Sequence, residues 1–169
     1  EIASCLVGSE MCIRDRHRMA IYIELEDKTD YTGSCFDELD AMLVNLKKEA
    51  LRYMNNHLIT EDDYYYEYMQ MRARQCVILK RIYADIIRLT TTPEQGKALA
   101  DFIRQTADEF AEQNNVETLL SELERLHHHY EQQQLPVTRQ EFENRSMLYH
   151  ILEDMKAFLD IKKDFITAR

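Results

Sequence analysis

Apolar residues recur at steps of three and four along nearly the whole chain, the period of amphipathic helices whose inner stripes share a core. Phe36, Leu39, Met42, Leu43, Leu46, Ala50, Leu51 and Met54 form one such stripe. Ser34 stands before it as a cap, with Asp37 and Glu38 at the positive end of the dipole. Thr60 is the next cap, followed by Glu61, Asp62 and Asp63, and no breaker interrupts the chain from there to Thr90. That stretch predicts a strut of roughly 45 Å at the helical rise. Thr92-Pro93-Glu94-Gln95 opens a third helix carrying Leu99, Phe102, Ile103, Ala107 and Phe110, broken at Asn114-Asn115. A shorter helix from Val116 carries Leu119, Leu120, Leu123 and Leu126 and fades into His127-His128-His129. After the loop Leu135-Pro136-Val137, Thr138 and Glu141 make a capping box that opens a last long helix to about Thr167. Its inner face is Leu148, Ile151, Leu152, Met155, Phe158, Leu159 and Phe165. The expected fold is all-α, an antiparallel bundle of about five helices, two of them long. Only Ala20 to Leu25, where Ile21, Ile23 and Leu25 alternate with polar neighbours, suggests either a short strand or the tail of a helix arriving from upstream.

Composition sharpens this picture at the front of the chain. Glu1 to Arg16, above all Leu6-Val7-Gly8-Ser9-Glu10-Met11-Cys12-Ile13-Arg14-Asp15-Arg16, resemble one translated frame of a sequencing-library adapter. On that resemblance residues 1–16 are non-native, 17–33 are a linker or the end of an upstream helix, 34–169 form the bundle domain, and the true start of the protein lies elsewhere. Cys5 and Cys12 then drop out, leaving Cys35 and Cys76, too few and too far apart for a disulfide framework or a metal knuckle. Cys76, within Gln75-Cys76-Val77-Ile78-Leu79, reads as a small buried hydrophobe. The net charge of −10 carries no basic stripe, so nucleic acid is not an expected partner. No run approaches the ~20 apolar residues of a membrane-spanning helix.

Candidate chemistry is sparse. Glu124 and His127 have the Glu-x-x-His spacing of di-iron bundles, but a bundle site needs two such pairs, so neither a metal nor another cofactor is expected. Serine, cysteine and histidine are too scattered for a nucleophile and its base, and no glycine-rich loop could cradle phosphate, which argues against an enzyme. Tyr65, Tyr68, Met69 and Arg72 lie on adjacent turns of one face. Rings for stacking beside a guanidinium are what an aromatic carboxylate would want; the same residues serve equally as bundle packing, the commoner use of such stripes. Asn144 and Arg145, two turns into the last helix, suit either a ligand contact or a bridge to a neighbouring helix end.

The segments Glu61-Asp62-Asp63-Tyr64-Tyr65 through Met71-Arg72-Ala73-Arg74-Gln75, and Leu135-Pro136-Val137-Thr138-Arg139-Gln140-Glu141-Phe142-Glu143-Asn144-Arg145 with Met147-Leu148 and Phe158-Leu159, resemble the C-terminal domain of the "putative aromatic acid exporter" family of bacteria. The likeness runs from about Asp30 to Phe165. It implies a membrane domain upstream, a helical domain on the cytoplasmic face of the cell membrane, and partners in that membrane half, in further copies of the chain and in an aromatic carboxylate. The role it implies is non-catalytic, in assembly or regulation of the transporter. A free-standing cytosolic interaction or ligand-binding module is the alternative, and a metalloenzyme the third.

Overall fold

The computed structural model describes residues 2–56, 63–90, 96–109 and 116–168, with side chains from Ile13 onward except at 35, 50, 53–56, 63 and 65. The expected features at Thr60, Thr92-Pro93 and Asn114-Asn115 lie outside the described residues. Six helices follow one another: α1 (Ile2–Glu24), α2 (Ser34–Asn56), α3 (Asp63–Ile86), α4 (Gly96–Glu109), α5 (Val116–Glu131) and α6 (Arg139–Thr167), and no strand occurs among the described residues. The class is therefore all-α, with one helix more than the stripes suggested. Four helices, of 23, 23, 24 and 29 residues, are long rather than two.

The extra helix is α1. Ile21 and Leu25 are exposed, while Met19, Ala20 and Ile23 are fully buried. The inward spacing is thus helical, and the apparent alternation over 20–25 came from two apolar residues that face solvent. The strut expected to run from Thr60 to Thr90, which is α3, also ends sooner, at Ile86: Arg88 and Leu89 turn back to the carbonyls of Asp85 and Ile86.

α3 packs most extensively on α6, and α1 on α4; α2 lies on α3 and α5 on α6. Tyr64 near the start of α3 meets Phe165 near the end of α6, whereas Thr90 just past α3 meets Asn144 near the start of α6, so these two helices run in opposite directions. Leu79, Ile82 and Ile86 of α3 join Ile151, Met155, Phe158 and Leu159 of α6, Leu99 and Ile103 of α4, Leu119 of α5 and Leu39 of α2 in one continuous core. The expected cap of α6 is present. Thr138, extended at φ −113°, accepts from the Glu141 backbone N–H at 3.1 Å, and Glu141 accepts from Val137 N–H at 2.9 Å. That backbone donor, with Arg145 behind it, holds the Glu141 carboxyl below its ordinary value.

The connection from α1 to α2 is locked by aromatic packing. Tyr31 is buried, stacks on Tyr22 with centroids 4.1 Å apart, and meets the edge of Tyr83 at 4.6 Å. The Tyr83 hydroxyl donates to the Tyr31 carbonyl at 2.7 Å. Two residues on, Gly33 has φ +67°, and a Cβ built there would stand 2.8 Å from the Tyr83 ring. Gly33→Ala combines a left-handed backbone with a collision against a ring that is itself held in place. We expect it to lower stability by roughly 1–3 kcal/mol. Urea denaturation is the check, and an unchanged midpoint would show that Tyr83 moves aside freely.

Candidate functional site

Helical spacing put Tyr68 and Arg72 one turn apart on α3, and tertiary packing turns both toward α6. Tyr68 is half-buried, with its ring 6.1 Å from Tyr64 and 6.0 Å from Phe165. Arg72 is buried, and its Nη1 donates to Gln75 Oε1 at 3.1 Å. Gln75 passes the connection on, its Nε2 donating to the Phe158 carbonyl at 3.1 Å. The side chain of Tyr65 lies outside the described residues. This chain of donors ties α3 to an otherwise occupied carbonyl of α6, so the guanidinium is engaged inside the bundle rather than held out toward solvent.

Asn144 and Arg145 lie elsewhere. Asn144 is buried, and its Oδ1 accepts from Thr90 N–H at 3.2 Å, while Gln140 Nε2 reaches Thr90 Oγ1 at 3.2 Å. Arg145 donates from Nη2 to Glu141 at 2.5 Å and from Nη1 to the Gln134 carbonyl. These contacts fasten the chain leaving α3 and the loop before α6 to the first turns of α6. The 21 positions from Asn144 to Phe165 on one helix separate the two groups by roughly 30 Å. Of the five, the four whose side chains are described therefore fall at two separate places along the α3–α6 contact rather than in one pocket.

A third arrangement escaped sequence reasoning. Between α5 and α6 runs an open groove of about 410 Å³, lined by Leu120, Leu123 and Leu152 below and by Glu124, His127, Glu153, Lys156, Asp160 and Lys163 at its rims. His127 Nε2 lies 3.0 Å from the Tyr149 hydroxyl and 3.7 Å from Glu153, and its Nδ1 is 3.4 Å from Glu131. The imidazole thus bridges two helices instead of ending in water. Among the described residues no three His, Cys, Asp or Glu side chains converge as a metal would require. The only signal of the groove in the sequence was alternating charge along the last helix, which solvated helices also show.

Charged pairs fasten the remaining helices. Arg81 on α3 grips buried Asp154 on α6 with two nitrogens, Nε at 3.1 Å. Lys80 on α3 and Asp40 on α2 form a second pair, to which the buried Cys76 thiol adds a contact at 3.5 Å. Arg104 on α4 joins Glu24 at the end of α1.

No helix among the described residues is long and apolar enough to cross a membrane. Residues 14–163 match a protein family described as "Putative aromatic acid exporter C-terminal domain". The chain is 30% identical over 141 residues to the uncharacterised protein YqjA of Bacillus subtilis (strain 168), covering 83% of this chain and 44% of the relative. It therefore spans less than half the length of that curated relative. A crystal structure of a putative membrane protein from Clostridium difficile 630 is similar at a TM-score of 0.83 with 28% identity, covering 97% of this chain and 96% of the other.

Proposed function

Because the chain belongs to the family of putative aromatic acid exporter C-terminal domains, we propose that it is the cytoplasmic, non-catalytic helical domain of a bacterial exporter, serving assembly or regulation of a membrane half that precedes it. The match over residues 14–163 carries this reading. The 44% coverage of the Bacillus subtilis relative supports it, since more than half of that protein lies outside the likeness. The engagement of Arg72 with Gln75, which itself reaches the Phe158 carbonyl of α6, and of Asn144 with Thr90 favours assembly over cargo sensing, because both side chains are taken up by contacts within the bundle.

The test uses the whole gene. The contiguous upstream sequence should encode four or more apolar segments of spanning length; a stop codon shortly before Met19 would instead give the free-standing module. With the full-length protein in its host, a fluorescent reporter fused after Arg169 should fold and glow, and removal of residues 34–169 should abolish efflux of a labelled aromatic carboxylate while the membrane half still inserts. Undiminished efflux after the removal would sink the assembly role. Calorimetric titration with aromatic carboxylates to roughly millimolar concentration addresses sensing separately, and heat of binding there would move the reading from assembly to cargo recognition.

A further inference from the structure

The outer face of α6 carries Tyr149, Glu153, Lys156, Asp160, Lys163 and Thr167 at alternating steps of four and three, which sets all six on one stripe. None is in the core: the side chains of Glu153, Lys156 and Asp160 are 49%, 58% and 40% accessible, and the other three residues are exposed. Beside the stripe lies the leucine-floored groove toward α5. The charge order along the stripe is Glu, Lys, Asp, Lys; taken from the other end it is Lys, Asp, Lys, Glu. The same stripe laid antiparallel on itself, about a point midway between Lys156 and Asp160, therefore meets opposite charge at all four positions. Laid parallel in register, it meets like charge at all four.

We propose that this face of α6 docks a second copy of the chain in a twofold antiparallel pair, with Glu153 against Lys163 of the second copy and Lys156 against its Asp160. Lys156 already holds Asp160 of its own helix at 3.0 Å, where the axis passes, so pairing closes a ring of two lysines and two aspartates. A twofold contact of this kind uses one patch twice and closes at two copies. Exposed ion pairs are individually weak and screened by salt, so the pairing is concentration- and salt-dependent, with charge fixing register and direction more than affinity. Joined to the exporter reading, on which this corollary alone rests, the pair directs its axis along the membrane normal and lays α6 parallel to the bilayer.

Sedimentation velocity on the 169-residue chain tests the pair without the membrane half, so its outcome is independent of the efflux and reporter experiments. The parent is expected to shift toward a dimer as its concentration rises to roughly 200 µM, less so in high salt. Glu153→Lys and Lys163→Glu should each weaken the association about tenfold, since either places two like-charge contacts in the pair. The fourfold reversal Glu153→Lys, Lys156→Glu, Asp160→Lys, Lys163→Glu keeps the net charge and the alternation along α6. It should restore self-association yet refuse to mix with the parent, as read by energy transfer between dye-labelled chains. Thermal melts verify that each variant is folded, as exposed positions allow. A parent monomeric throughout the range overturns the proposal. So does single-reversal association equal to the parent's, or a reversed variant that mixes freely with it.

Discussion

Phe158→Ala is expected to cost roughly 3–5 kcal/mol, the largest loss from any single truncation considered for this fold. Phe158 is fully buried at the α3–α6 contact, and the Arg16 guanidinium of α1 lies 5.3 Å from its ring centroid. Truncation removes the ring's burial, opens a cavity in the shared core, and deprives a buried cation of an aromatic face. The main-chain carbonyl that receives Gln75 Nε2 survives the substitution, so the loss isolates the side chain. Since whole domains are stable by only about 5–15 kcal/mol, the variant should unfold at far lower urea. Phe158→Leu should recover much of the loss by refilling the space. A fall below about 1 kcal/mol for the alanine variant would mean that the helices close over the gap, contrary to a rigidly packed junction.

Arg81→Met is the second large effect, expected at roughly 2–3 kcal/mol. Asp154 is nearly inaccessible and sits inside the α3–α6 contact, whereas the Arg81 side chain is 59% exposed. The arginine is thus tethered at the rim with a carboxylate beneath it. Removing the cation leaves a buried charge without its bidentate partner, and that penalty exceeds the modest value of an exposed pair. Exposure of Arg81 keeps the figure below that of a fully enclosed pair. The decisive measurement is a double-mutant cycle. Arg81→Met with Asp154→Leu should be destabilised less than the sum of the singles by about 1–3 kcal/mol, because the double variant has no orphaned charge. Additive costs would show that the two groups do not depend on each other.

These residues also mark how far the sequence could be read. Helices α2, α5 and α6 were legible because an end signal and a stripe agree: Ser34 before Phe36 and Leu39, the Asn114-Asn115 break before Leu119 and Leu123, Thr138 with Glu141 before the long stripe of α6. Helix α1 was legible only as one of two alternatives over 20–25, since Ile21 and Leu25 point outward and counterfeit a strand period; the packing of Met19, Ala20 and Ile23 decides for the helix. Adjacency on one helix, as between Tyr68 and Arg72, follows from spacing alone. What each side chain meets on another helix depends on register between elements distant in sequence, as with Gln75 and the Phe158 carbonyl or Thr90 and Asn144. Periodicity carries no record of that register. The same limit hid the groove, whose floor belongs to α5 and α6 together.

The stack of Tyr22 on Tyr31 has an optical consequence. With ten tyrosines and no tryptophan, the protein's near-ultraviolet signal belongs to phenols alone. Two of them lie nearly parallel, 3° between planes, and in a chiral setting closed by the edge of Tyr83. Their transitions couple, so near-ultraviolet circular dichroism should be disproportionately sensitive to this one joint. Release of the α1–α2 connection would appear there while the far-ultraviolet helix signal stays constant, giving the protein a built-in spectroscopic gauge of whether its first helix is docked.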